Sequence, residues 1–121
     1  MAEWVALCQS QDLMEGKLAV PFDVVYNGQS CRAFAVRFQG QVQAYLNRCS
    51  HVAMEMDFQP DRFFDAQGQW LVCATHGATY HPSTGACDSG PCRGNLVKIA
   101  AQERDGVVHW HTEHNLQPLI F

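Results

Sequence analysis

Two short stretches, Cys49-Ser50-His51 and Cys73-Ala74-Thr75-His76, each offer one thiolate and one imidazole, and twenty-one residues separate them. Four such groups make a complete ligand set for a metal site. A Cys and a His two or three residues apart can be carried on one tight loop, and the intervening chain can bring the two loops together. The second stretch runs into Gly77-Ala78-Thr79-Tyr80, and a turn-rich segment follows from Thr84-Gly85 to Gly90-Pro91. Structural zinc also takes two Cys and two His, but its usual spacing puts both cysteines on one knuckle and both histidines on a helix. Here each half mixes the two types and no helical His pair is present. The remaining alternative is a scatter of core and surface groups with no metal, which six cysteines allow.

The elements that must hold these loops read as strands. Trp4 to Cys8 is a short apolar run, and Ser10-Gln11-Asp12-Leu13 starts at most a helical turn that Gly16 ends. Leu18-Ala19-Val20 and Phe22 to Tyr26 are β-rich, with Pro21 marking a bulge or a sheet edge between them. Asn27-Gly28 then predicts a hairpin, because both positions accept positive φ. Cys31 to Phe38 alternates with Phe34, Val36 and Phe38 on one face, and Gln39-Gly40 turns the chain into Val42 to Leu46, which delivers it to Cys49. Around Met54-Glu55-Met56 there is a turn of helix at most. Phe63 to Val72 reads as a hairpin with Asp65 and Gly68 at the first and fourth positions of its turn, and its second strand ends at Cys73. Both half-sites therefore fall at strand ends. Beyond Pro91, Leu96 to Ala101 and Val107 to Trp110 flank Asp105-Gly106 as a further hairpin. Pairing across that loop puts Val97, Ile99, Ala101, Val108 and Trp110 on one face and turns His109 and His111 toward solvent. The chain is all-β, with a turn-rich insert carrying the candidate ligands.

At 121 residues the chain supports one domain, and 47% apolar against 17% charged residues is an ordinary globular balance. A net charge of −4 lacks the basic footprint of a nucleic-acid binder, and it suits a partner with a basic docking face. The start, Met1-Ala2-Glu3-Trp4-Val5, has no basic or long apolar character, and no apolar run approaches a membrane span. A cytoplasmic protein that touches neither nucleic acid nor membrane is expected. In that compartment six cysteines favour metal ligation or free thiols over a disulfide framework.

The pattern C-x-H then C-x-x-H-G, followed by Tyr80, Thr84-Gly85 and Gly90-Pro91, resembles the fingerprint of Rieske iron–sulfur proteins. The resemblance implies one [2Fe–2S] cluster, with Cys49 and Cys73 on one iron and His51 and His76 on the other. The histidine side should lie nearest solvent. Imidazole ligands make such a cluster less negative and raise its potential into roughly the −150 to +300 mV range. It also implies three small antiparallel sheets. Residues 1–46 and 93–121 would form a base and 47–92 a cluster-binding insert, in keeping with the hairpin signals on either side. The specific motifs span residues 49–91. Members of the cytochrome bc type carry an extra cysteine in each loop, where this chain has Met54 and Thr75, and a serine where it has Ala78. The chain therefore resembles a Rieske ferredoxin more than a respiratory subunit. The gap between its half-sites is a few residues longer than usual, an excess assigned to the Phe63–Trp70 hairpin.

Several residues stay open to two readings. Tyr80 either donates its hydroxyl to a ligand sulfur or packs as an aromatic beneath the loop. Gly90 and Pro91 belong to the loop that shields the cluster in the family, and Cys87 and Cys92 flank it; two free thiols are favoured over a bridge. Cys8 and Cys31 read as small core residues. His109, His111 and His114 with Glu113 raise a second metal site, against which a wet patch is the better reading. His81 either lines a docking surface or is simply exposed.

Two functions fit. One is an electron carrier that takes single electrons from a flavin-containing reductase and passes them to an oxygenase or another redox enzyme. The other is an accessory subunit resembling the small subunit of assimilatory nitrite reductase; several of those have lost the ligands, and all four are present here. A fragment of a Rieske oxygenase would need a further domain with a 2-His-1-carboxylate iron site, which is not expected here. No Gly-rich nucleotide fingerprint is present, so catalysis by this chain alone is not expected.

Overall fold

Asn27-Gly28, Gln39-Gly40 and Asp105-Gly106 each place two successive residues at positive φ (51° and 80°, 52° and 78°, 54° and 77°). Such turns twist with the strands that they join, so each closes a tight hairpin. A computed structural model describes residues 3–48, 56, 61–73, 77–90 and 94–118. The first two turns link β2 (Val20–Tyr26), β3 (Gln29–Phe38) and β4 (Gln41–Leu46), and the third links β9 (Ala101–Arg104) to β10 (Val107–His111).

Three antiparallel sheets result. The central one has five strands in the order β11-β2-β3-β4-β8, where β8 is Lys98–Ile99 and β11 is Leu116–Pro118. A second pairs β1 (Trp4–Gln9) with β10 and β10 with β9. The third holds β5 (Leu71–Val72), β6 (Thr79–Tyr80) and β7 (Cys87–Ser89). The all-β expectation of three small antiparallel sheets holds. The helical start at Ser10 is a single 3-10 turn, Ser10–Asp12. Pro21 lies within β2 where β11, which pairs only with Val24 to Tyr26, does not reach, so its missing N–H interrupts no ladder on that side.

The central sheet is buried on both faces. Phe34, Val36 and Tyr45 enter one apolar cluster with Phe63, Leu71, Cys73, Ala78 and Tyr80. Ala33, Ala35, Ala44 and Leu46 enter another with Val108 and Trp110. Alternation thus sends aromatics toward the small sheet that carries Cys73 and small residues toward the β1-β10-β9 sheet. Phe34 and Phe63 stack with ring centroids 3.7 Å apart. Arg37 fastens the layers from the rim. Its guanidinium donates to both carboxylate oxygens of Glu103 (2.8 and 2.6 Å) and to the carbonyls of Leu13 and Ser10 (2.8 and 3.1 Å).

One expected face is corrected. Ile99, Val108 and Trp110 are buried and Ala101 packs beside them, but Val97 is exposed. The chain leaves the edge of β4 after β8 and joins β10 as β9, so residues 96–101 do not form one continuous strand. Leu96 turns inward in place of Val97. His109 and His111 are half-buried rather than fully solvated, and the ring of Trp4 meets His111 edge-on at 4.6 Å.

Candidate metal centre

Cys73 follows β5 directly and is completely buried. Its backbone N–H donates to the Ala78 carbonyl (2.8 Å), and the Gly77 N–H donates back to the Cys73 carbonyl (2.8 Å). These two bonds close the loop from Cys73 to Ala78. Gly77 turns it at φ +76°, a conformation that costs a side chain and costs glycine little. The closed loop opens onto β6, where Tyr80 is fully buried in the same cluster as Cys73.

Gly90 lies hard against this loop. A Cβ at Gly90 would sit 2.7 Å from the Ala78 Cα and 3.2 Å from the Gly77 carbonyl oxygen, at φ +91°. Two backbones in contact leave room for a glycine alone. Thr79 and Ser89 share a hydrogen bond of 2.7 Å across the strands beside it.

Support reaches this end from the central sheet as well. The buried Tyr45 hydroxyl donates to the Pro82 carbonyl (2.6 Å), and burial pushes the phenol up beyond its ordinary range. A Cβ on Gly85 would come within 2.8 Å of the Tyr45 ring. Asn47, two residues before Cys49, accepts from the Met56 N–H on its side-chain oxygen (2.7 Å) and donates its own N–H to the Arg32 carbonyl (2.9 Å). Gly85 belongs to the turn signal that the sequence offers, whereas Tyr45 and Asn47 do not stand out from it; a polar Asn at the end of an apolar strand is the signal at hand for the second.

Of the residues expected at the centre, Cys73, Tyr80 and Gly90 are brought together. Cys49, His51, His76 and Pro91 lie outside the described residues, as does the Met54-Glu55 part of the expected turn. Cys87 is disulfide-bonded, which corrects the expectation of a free thiol there. It is partly buried and packs against the apolar cluster that holds Tyr80. His81 is half-exposed, with its ring 4.6 Å from that of Trp70 and its Nε2 3.9 Å from Asp88. Cys8 and Cys31 are half-buried against the second cluster as read, and burial pushes the Cys8 thiol up. Among the described residues, no helix is long and apolar enough to cross a membrane.

The donor chemistry fits an iron–sulfur cluster. A buried thiol at the mouth of a closed loop, a second loop packed on it through a glycine, and an apolar floor suit a group that must be held rigidly with little water. An all-β domain of three small sheets with such a pair of loops is the Rieske architecture. The Rieske [2Fe-2S] domain model matches residues 3–102, and the chain belongs to that family.

Solved structures agree on the fold. A ferredoxin of carbazole 1,9a-dioxygenase from Nocardioides aromaticivorans IC177 superposes with a TM-score of 0.70 at 23% identity, over 88% of this chain and 95% of that one. The Sphingomonas yanoikuyae B1 ferredoxin gives 0.68 at 22% identity, over 92% and 100%. A chain in a complex of reduced oxygenase and oxidised ferredoxin of carbazole 1,9a-dioxygenase gives 0.68 at 21% identity, over 88% and 91%. No curated protein sequence matches the chain.

Proposed function

We propose that this chain is a cytoplasmic one-electron carrier of the Rieske type, loaded by a flavin-containing reductase and discharged by an oxygenase or another redox enzyme. The observation that carries the reading is the family match across residues 3–102. One ferredoxin with which it shares its fold is that of a carbazole 1,9a-dioxygenase, and another structure shows a complex of oxygenase and ferredoxin of carbazole 1,9a-dioxygenase. A bound [2Fe–2S] cluster supplies the one-electron chemistry. In this reading Cys49 and Cys73 hold one iron and His51 and His76 the other, on an insert of 47–92 set on a base of 1–46 and 93–121.

The chain's own residues would position and insulate that group. The loop closed by Cys73 and Ala78 would keep one thiolate fixed, and the packing of Gly90 on the Ala78 backbone would set the second loop against it. Residues 47–92 hold two cations, Arg48 and Arg62, against Glu55, Asp57, Asp61, Asp65 and Asp88. The proposed insert thus carries most of the net charge of −4, which suits electrostatic steering toward a basic face on the partner.

The test is anaerobic purification followed by metal analysis and rapid mixing. Two irons and two acid-labile sulfides per chain are expected, with a reduced form that gives a rhombic paramagnetic signal. Colourless protein with stoichiometric zinc overturns the cluster. Iron-loaded protein that neither accepts an electron from a flavin reductase nor passes one to an oxygenase overturns the carrier.

A further inference from the structure

The segment between the 3-10 turn and β2 meets the hairpin that precedes β5 at two points. Gly16 and Gly68, both at positive φ (64° and 70°), approach so closely that a Cβ on either would lie 3.4 Å from the other's Cα. At the other end, the Ala19 N–H donates to the Asp61 carbonyl (2.9 Å). Between the two contacts the segments part and leave an open slot of about 690 Å³. That lies within the roughly 300–1,000 Å³ of small-molecule sites.

Phe63 and Phe64 contribute aromatic lining, and both are fixed from behind, Phe63 by Phe34 and Phe64 by Phe38. Met14 (62% exposed) and Leu18 (50%) also line the slot, and they are the two most exposed large apolar side chains among the described residues. Apolar exposure gathered in one concave place marks a binding surface better than the same exposure scattered. The near wall is rigid, because the Gly16 N–H donates to the Arg37 carbonyl on β3 (3.0 Å).

The charges of the slot decide what it would accept. Both of its carboxylates are engaged as backbone caps. Asp12 accepts from the Gln9 N–H (3.0 Å), and Asp65 accepts from the N–H groups of Gln69 and Trp70 (2.9 and 3.3 Å). Its two cations, Lys17 and Arg62, have no ion pair among the described residues. An apolar trough rimmed by two uncommitted cations is complementary to a molecule that is apolar along its length and anionic at one end. We infer that the slot between residues 12–18 and 61–66 binds a small apolar carboxylate, its hydrocarbon against Phe63, Phe64, Met14 and Leu18 and its anion between Lys17 and Arg62.

Calorimetric titration of the cluster-loaded chain with 2-naphthoate, and with neutral 2-naphthamide, tests this independently of electron transfer. Saturable binding of one naphthoate per chain is expected, with the amide weaker by about tenfold or more. Lys17→Ala with Arg62→Ala, both surface changes, should weaken naphthoate by a similar factor, and Leu18→Asp should weaken both probes. Absence of saturable binding overturns the proposal, as does binding that none of these changes affects. Failure of naphthoate, together with protection of Met14 from oxidation by a protein partner, would reassign the slot to a macromolecular contact and likewise overturn it.

Discussion

Gly90 is doubly constrained. Its φ of +91° and the 2.7 Å approach of a would-be Cβ to the Ala78 backbone penalise a side chain twice, once by conformation and once by collision with main chain that cannot swing aside. Gly90→Ala should therefore lower iron incorporation severely while leaving strand content intact; iron per chain against far-ultraviolet dichroism measures both. Ala78 and Tyr80 make the milder test. Potential depends on hydrogen bonds to the cluster's sulfurs, because each donor stabilises the extra electron of the reduced state. Ala78→Ser adds a hydroxyl at a buried position beside Cys73 and should raise the potential, and Tyr80→Phe should lower it. A hydrogen bond to a charged group contributes roughly 1.5–3 kcal/mol, only part of which differs between redox states. At roughly 23 kcal/mol per volt for one electron, that amounts to some tens of millivolts. Film voltammetry at fixed pH reads the shift; an unmoved potential in Tyr80→Phe would make the tyrosine a packing residue only.

Among the elements, the joint at Arg37 binds β3 to β9 and to the 3-10 turn through one guanidinium. Its bonds to Glu103 hold that carboxyl down at about 2, against an ordinary 4.5. A carboxyl depressed on folding contributes stability that is complete above about pH 4.5 and is lost as pH falls toward 2. The pair is partly open to water, so its worth is about 1 kcal/mol. Urea unfolding near neutrality and near pH 2 should show Glu103→Gln less stable at the first, with the difference largely gone at the second. Tyr45 is the corresponding strut on the other face. Tyr45→Phe leaves the Pro82 carbonyl without its donor at a buried position and should cost roughly 1–3 kcal/mol, seen as a lowered urea midpoint with an unchanged slope.

Taken whole, the molecule is a stiff central sheet with its Cys73 end built from two- and three-residue strands. Short ladders contribute few bonds, so this end gains most from whatever ligand it holds, and a ligand that binds only the folded state stabilises it by mass action. Removal of iron by a chelator should lower the thermal midpoint. Hydrogen exchange should then rise first in residues 71–90 while β3 and β4 stay protected, with calorimetry and exchange mass spectrometry as the measurements. Uniform loss of protection would mean that the small sheet and the central sheet open as one unit.

The sequence alone determined the hairpins, the all-β class and the family. Asn27-Gly28, Gln39-Gly40 and Asp105-Gly106 need only their own dihedral preferences to turn, and the Phe34-x-Val36 alternation needs only the pleat. Cys73 at a strand end and Gly90 in a turn were legible for the same reason, since loop chemistry is written in neighbouring residues. Tertiary structure alone decided that Val97 faces out and Leu96 in, that Tyr45 reaches Pro82, that Asn47 holds Met56, and that Gly16 meets Gly68 across a slot. Each of those depends on which sheet a strand joins or on segments many residues apart. That choice is made by the summed burial of distant side chains, which no local pattern encodes.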